Sequence, residues 1–124
     1  MKLIIADDSS FIRSMITKAI QSNIEDVEII SCVDGKQAYE AYCEHQPDFI
    51  ITDLLMPEMT GQQLLAKLKT ENYATKAIVI SADIQTATHT ELAEIGILDF
   101  INKPLTAEKL NLLVALIRGK NNVK

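Results

Sequence analysis

Residues 3–10 read LIIADDSS, four apolar residues that run directly into two adjacent acids. LIIA has the length and Ile content of a short buried strand, yet it ends at Asp7 and Asp8, like charges side by side. Ser9 or Ser10 can cap a helix that starts there. The acids ask for something more, because paired carboxylates repel unless a cation sits between them.

The same layout recurs down the chain. VEIISCV (27–33), FIIT (49–52), AIVIS (77–81) and LDFI (98–101) are strand-length runs without clean polar alternation. That pattern suits parallel strands buried on both faces. Helical spacing fills the gaps between them. Ile12, Met15, Ile16, Ala19 and Ile20 form one apolar stripe. A second helix is expected from Lys36 to Glu44, stopped by Pro47, and a third from Gly61-Gln62 with Leu64, Leu65 and Leu68. The fourth, 84–95, holds Thr86, Thr88 and Thr90 and few large apolar residues, so its propensity and packing are weak. The fifth, 107–118, is capped by Thr106 and carries Leu110, Leu113, Val114 and Ile117, leaving GKNNVK as a frayed end.

Five alternating strand–helix units imply an α/β fold, a parallel sheet with right-handed crossovers and helices on both faces. Five are too few for an eight-stranded barrel, so an open, doubly wound sheet is expected. The length of 124 residues suits one domain, 1–124, with no output domain after the fifth helix. A net charge of -5 argues against direct binding to nucleic acid or an anionic membrane. No apolar run reaches the roughly 20 residues of a membrane span, and Met1-Lys2-LIIA is too short for a signal peptide. Cys32 and Cys43 are read as reduced packing residues of a cytoplasmic protein. His45 and His89 are expected exposed and unconnected with any site.

In a parallel sheet all carboxyl ends share one edge, which is where ligands bind. Asp7, Asp8, Asp53, Ser81 and Lys103 all fall there. Oxygen-only ligands select a hard divalent ion, and Mg²⁺ commonly joins one or two carboxylates to a phosphate oxygen. One carboxylate can then attack phosphorus, while Ser81 and Lys103 hold phosphoryl oxygens.

ADDS (6–9), TDLLMPEMTG (52–61), ISA (80–82) and KP (103–104) together resemble the receiver domain of two-component response regulators, over essentially the whole chain. The stand-alone, CheY-like type is the nearest resemblance. It implies the flavodoxin/CheY-like strand order 2-1-3-4-5. It implies that Asp53 accepts a phosphoryl group from a sensor histidine kinase or phosphotransfer protein. Asp8, Asp53 and the backbone carbonyl of Leu55 would hold Mg²⁺, with Asp7 acting through water. Ser81 and Lys103 would bind the phosphoryl oxygens, and Phe100 would turn inward as the switch aromatic. Pro57 and Gly61 would be structural, as would Pro104 after a cis bond. The resemblance further implies a downstream protein target on the α4-β5-α5 face, a phosphatase in some pathways, and a monomer or a weak activation-dependent dimer. A phosphorelay of the chemotaxis type is one setting, and no independent substrate turnover is expected.

Four residues depart from the chemotaxis pattern. Phe100 replaces a tyrosine, Leu55 an amide and Ile97 a small alanine, while Asp83 adds an acid two residues after Ser81. Other functions fit less well. A haloacid-dehalogenase-like phosphohydrolase places its Asp nucleophile in a D-x-D after the first strand and carries a cap insertion, whereas this chain has D-D-S. A flavin carrier of the same topology wants a Ser/Thr-rich phosphate loop, which acids at 7 and 8 would repel. A scaffold receiver that is never phosphorylated would have no use for the intact acidic set.

Overall fold

A computed structural model describes residues 1–82 and 86–121, without the side chains of 86, 87, 120 and 121. Five strands and five helices alternate: β1 (Lys2–Ala6), α1 (Ser10–Asn23), β2 (Glu28–Cys32), α2 (Gly35–His45), β3 (Phe49–Thr52), α3 (Gly61–Thr70), β4 (Ala77–Ser81), α4 (Thr86–Ile95), β5 (Asp99–Asn102) and α5 (Ala107–Asn121). The strands form one parallel sheet in the order β2-β1-β3-β4-β5, as expected.

The continuous apolar runs hide a two-sided division of labour, because successive residues of a strand face opposite ways. Leu3, Ile5, Phe49, Ile51, Ile78 and Ile80 pack with Ile16 and Ile20 of α1 and with Leu113 and Ile117 of α5. Ile4, Ala6, Ile50, Ala77 and Val79 pack on the other face with α2, α3 and Leu92 of α4. Every residue of β1 after Lys2, and all of β3 and β4, is buried. The edge strands β2 and β5 are only half covered, contrary to the expectation of strands buried throughout. Each has one neighbour and must show one side to water.

Local chemistry sets the boundaries. Ser9 is the N-cap of α1, its hydroxyl accepting from the Ile12 N–H at 3.2 Å. Asp34 caps α2 through the Gln37 N–H at 2.8 Å. Thr60 and Gln63 close a reciprocal capping box at the start of α3. The fifth helix runs through Asn121, beyond the expected end at Arg118, so Gly119 sits inside it rather than in a frayed tail. The described fourth helix begins at Thr86; the expected start at residue 84 and Asp83 lie outside the described residues.

Tyr39 and Tyr42 stand on α2, and Tyr73 follows α3. Tyr42 and Tyr73 meet edge to face at 5.2 Å, and the Tyr39 hydroxyl donates to Glu71 at 2.5 Å, tying α2 to the end of α3. None of the helices is long and apolar enough to cross a membrane, among the described residues.

Candidate functional site

Sheet register brings the acids together. Ala6 pairs with Thr52, so Asp7 and Asp53 emerge side by side on the next rung. The Asp53 N–H donates to the Ala6 carbonyl at 2.9 Å and the Asp7 N–H to the Cys32 carbonyl at 3.1 Å. Across the sheet Ser81 pairs with Asn102, and the Lys103 N–H donates to the Ser81 carbonyl at 3.0 Å. All five residues singled out at the strand ends therefore do lie along one edge.

The lysine ties the two buried acids. Its Nζ donates to Asp7 Oδ2 at 3.0 Å and to Asp53 Oδ2 at 2.9 Å. The other oxygen of each carboxylate is taken by backbone: Ser9 N–H to Asp7 Oδ1 at 2.9 Å, Leu54 N–H to Asp53 Oδ1 at 2.7 Å. Asp7 and Asp53 are buried, whereas Asp8 is exposed. Carboxylate oxygens of Asp7, Asp8 and Asp53 all lie within 4.8 Å of one another, and one ammonium leaves two of their charges uncompensated. Three converging hard oxygen donors with residual negative charge fit a divalent cation such as Mg²⁺.

Burial raises the Asp7 carboxyl above its ordinary pKa; the Ser9 N–H and Lys103 pull it back only in part. Burial alone would lower the Lys103 ammonium, but Asp53 and Asp7 outweigh it and the net shift is upward. Lys103 thus stays charged where its neighbours need it.

The backbone under Asp53 is fixed from several sides. The Thr52 hydroxyl donates to the Asp53 carbonyl at 2.8 Å, and the Gly61 N–H to the Leu54 carbonyl at 2.9 Å. A Cβ on Gly61 would fall 2.2 Å from the Asp53 carbonyl oxygen, so only glycine lets α3 start this close. Pro57 accepts from the Met59 N–H at 2.7 Å within the same loop, and the Lys103-Pro104 bond is cis. Leu55 leaves its side chain 68% exposed beside the acids. Ser81 is fully buried.

Three contacts have no sequence signature. Arg13 Nη1 donates to the Asp7 carbonyl at 2.7 Å, holding the β1–α1 loop from the first turns of α1. Lys109 Nζ donates to the carbonyls of Asn102 and Pro104. His89 is exposed as expected, but it is not unconnected: its ring lies on that of half-buried Phe100, centroids 4.1 Å apart and planes 33° apart. Each joins a helix to a strand or loop outside it, so no period within one element brings the partners together. Cys32 is buried, its thiol pushed up to about 11 chiefly by burial, in keeping with a packing role.

An acidic cluster, a buried hydroxyl and a lysine at the carboxyl edge of a 2-1-3-4-5 parallel sheet define a receiver-type fold, and comparison with known proteins identifies the family. Residues 3–115 match the family model of the response regulator receiver domain, and the chain belongs to that family. It is 33% identical over 111 residues to the chemotaxis protein CheY of Listeria monocytogenes, covering 89% of this chain and 92% of that one. Among solved structures it resembles the response regulator domain of Thermotoga maritima CheB, with a TM-score of 0.85 and 28% identity over 100% and 98% of the two chains. It also resembles the CheY of Borrelia burgdorferi solved as a CheX-CheY-BeF3-Mg complex, with a TM-score of 0.86 and 27% identity over 100% and 90%. The chain is a CheY-like receiver domain of two-component signalling.

Proposed function

We propose that Asp53 is the phosphoacceptor of this receiver and that its phosphorylation by a histidine kinase or phosphotransfer protein sets the state of the α4-β5-α5 face. The Lys103 ammonium bridging Asp53 and Asp7 carries the reading, since a salt bridge inside a three-acid cluster sets one carboxylate beside a cation that can pair with phosphoryl charge. A carboxylate oxygen of Asp53 forms the new O–P bond as the P–N bond to the donor imidazole breaks. Lys103 then turns from the carboxylate to a phosphoryl oxygen, and Ser81 donates to another. Asp8, Asp53 and the Leu55 carbonyl would hold Mg²⁺, with Asp7 behind water; when bound, the ion neutralises the acids and the phosphoryl charge. Phe11 in the first turn of α1 and Leu55 in the β3–α3 loop, 71% and 68% exposed, leave apolar surface on which a donor can settle.

Movement of Ser81 would draw Phe100 inward and away from His89, remodelling the surface of α4 and β5 that a downstream protein reads. Such a module works in the cytoplasm as a single receiver, a monomer or an activation-dependent dimer, with no substrate turnover of its own. A chemotaxis setting has support from the CheY relatives.

Incubation with acetyl phosphate and Mg²⁺ should add one phosphoryl group, seen by mass and labile to base. Uptake by Asp53→Asn would overturn the assignment. Millimolar Mg²⁺ should raise the melting temperature of wild type through binding linkage and leave Asp8→Ala unmoved.

A further inference from the structure

Thr60 and Gln63 show how α3 uses the third residue of its first turn: the threonine hydroxyl accepts from the Gln63 N–H, and the Gln63 side chain accepts from the Thr60 N–H. Thr106 repeats the first half at α5, its Oγ1 accepting from the Lys109 N–H at 3.2 Å. The second half is missing. An ammonium cannot accept a hydrogen bond, and a cation in the first turn opposes the helix dipole, which favours acids there. Lys109 therefore breaks two local rules at once.

Its side chain leaves the helix instead. Lys109 Nζ donates to the Asn102 carbonyl at 2.7 Å and to the Pro104 carbonyl at 3.3 Å. Those carbonyls flank Lys103, whose ammonium spans Asp7 and Asp53. Lys103 leaves the sheet at this point: its N–H on the Ser81 carbonyl is its last backbone tie to β4. One cation on α5 thus grips the chain on both sides of the residue that must reach from the β5 edge to β1 and β3.

We propose that Lys109 is a positioning residue, which clamps the Asn102 and Pro104 carbonyls so that the Lys103 ammonium is held over the Asp7–Asp53 pair. The inference deepens the phosphoryl-transfer reading and rests on it for its kinetic consequence, but not for its structural one. Lys109 touches no carboxylate, so its loss should move Lys103 and leave the metal-binding oxygens in place. Charge-assisted bonds to two carbonyls in fixed geometry are also within reach of a guanidinium, so arginine should substitute.

The test uses the metal-free full chain, labelled with nitrogen-15 in its lysine side chains. A salt-bridged ammonium exchanges slowly enough to give a cross-peak, and Lys103 should give one in wild type. Lys109→Met, which keeps the stem and loses the donors, should abolish that peak, and Lys109→Arg should retain it. In acetyl phosphate and Mg²⁺ the Met variant should be phosphorylated about tenfold more slowly, less than the roughly hundredfold of a full 1 Å misplacement. Its Mg²⁺ affinity should stay within about twofold of wild type, and Arg should restore the rate. A wild-type peak and rate in Lys109→Met would overturn the proposal. So would a parallel loss of rate and Mg²⁺ affinity, or failure of arginine to rescue, since either means general loop damage. Should the Met variant not fold, Lys109→Gln, with its shorter reach and neutral donor, is read by the same criteria. If wild type takes up no phosphoryl group, the proposed function fails, while the Lys103 peak still decides the role of Lys109.

Discussion

The helices α3 and α4 each have ten residues and back opposite halves of the same site, yet they are held very differently. Behind the acids, α3 buries Gly61, Leu64, Leu65 and Leu68, starts with a capping box, and packs its first residue against the Asp53 carbonyl. Behind Ser81 and Phe100, α4 buries Leu92 and Thr88 among its described side chains, and most of the rest faces solvent. Two of its ties to the rest of the fold are the Lys69 ammonium, which donates to the Glu94 carbonyl at 2.6 Å, and the ring of His89 on Phe100. Burial of aliphatic side chains contributes about 1.5–3 kcal/mol each, so the α3 half is anchored several kcal/mol more firmly. The half that carries the acids is the firmly anchored one, and the half proposed to move is the one that costs little to move.

Two glycines probe that difference most sharply. Gly61→Ala would drive a Cβ to within 2.2 Å of backbone oxygen, and should destabilise the fold by about 3 kcal/mol, roughly 10 °C in melting temperature. Gly96 ends α4 at φ +93 with nothing within 4 Å of an added Cβ. Gly96→Ala should cost about 1–2 kcal/mol, from backbone strain alone. An equal loss in the two variants, measured by thermal melts, would break the comparison.

Acid–base behaviour gives a smaller effect within the rigid half. Asp7 has a raised pKa, so it favours folding only while protonated: the contribution is present below the ordinary value of 3.8 and lost as pH rises through the folded value. Asp7→Asn removes that dependence. The melting temperature of the variant relative to wild type should therefore climb as pH rises from the ordinary carboxyl value of 3.8 through the raised folded value. A flat difference would mean that Asp7 ionises without penalty.

Smallest of all, Lys69→Met should cost about 0.5–1 kcal/mol, the net worth of one exposed bond to a helix carbonyl. Lys69 stands in the last turn of α3, so hydrogen exchange should show the loss in α4, with the α3 amides before that last turn unchanged. Equal acceleration in both helices would show that α4 is not separately held.

Much of this is legible in the amino-acid sequence alone. Strands were visible because central parallel strands need unbroken apolar runs, and β1, β3 and β4 have them. The acids, Ser81 and Lys103 were legible because one sheet direction puts all strand ends on one edge. The covered extent of β2 was overstated because its VEIISCV run reads like a central strand, while its place at the sheet edge is a property of the whole topology. Arg13, Lys109 and His89 were missed for a related reason. Their partners are carbonyls, which every residue has, or a ring eleven residues away on another element. Conversely, the Thr-rich α4 was marked weak on propensity, and its sparse burial is the packing counterpart of that weakness.

The placement of the aromatic rings carries a practical consequence. The chain has no tryptophan, and its three tyrosines all sit on α2 or just after α3. Ultraviolet fluorescence of this protein is therefore an optical gauge of the anchored half alone, and is blind to the other. Phe100 and His89 hardly contribute to it, so the proposed movement would pass unseen by that method. The imidazole protons of His89, shifted by the ring current of Phe100 at 4.1 Å, are the natural reporter there.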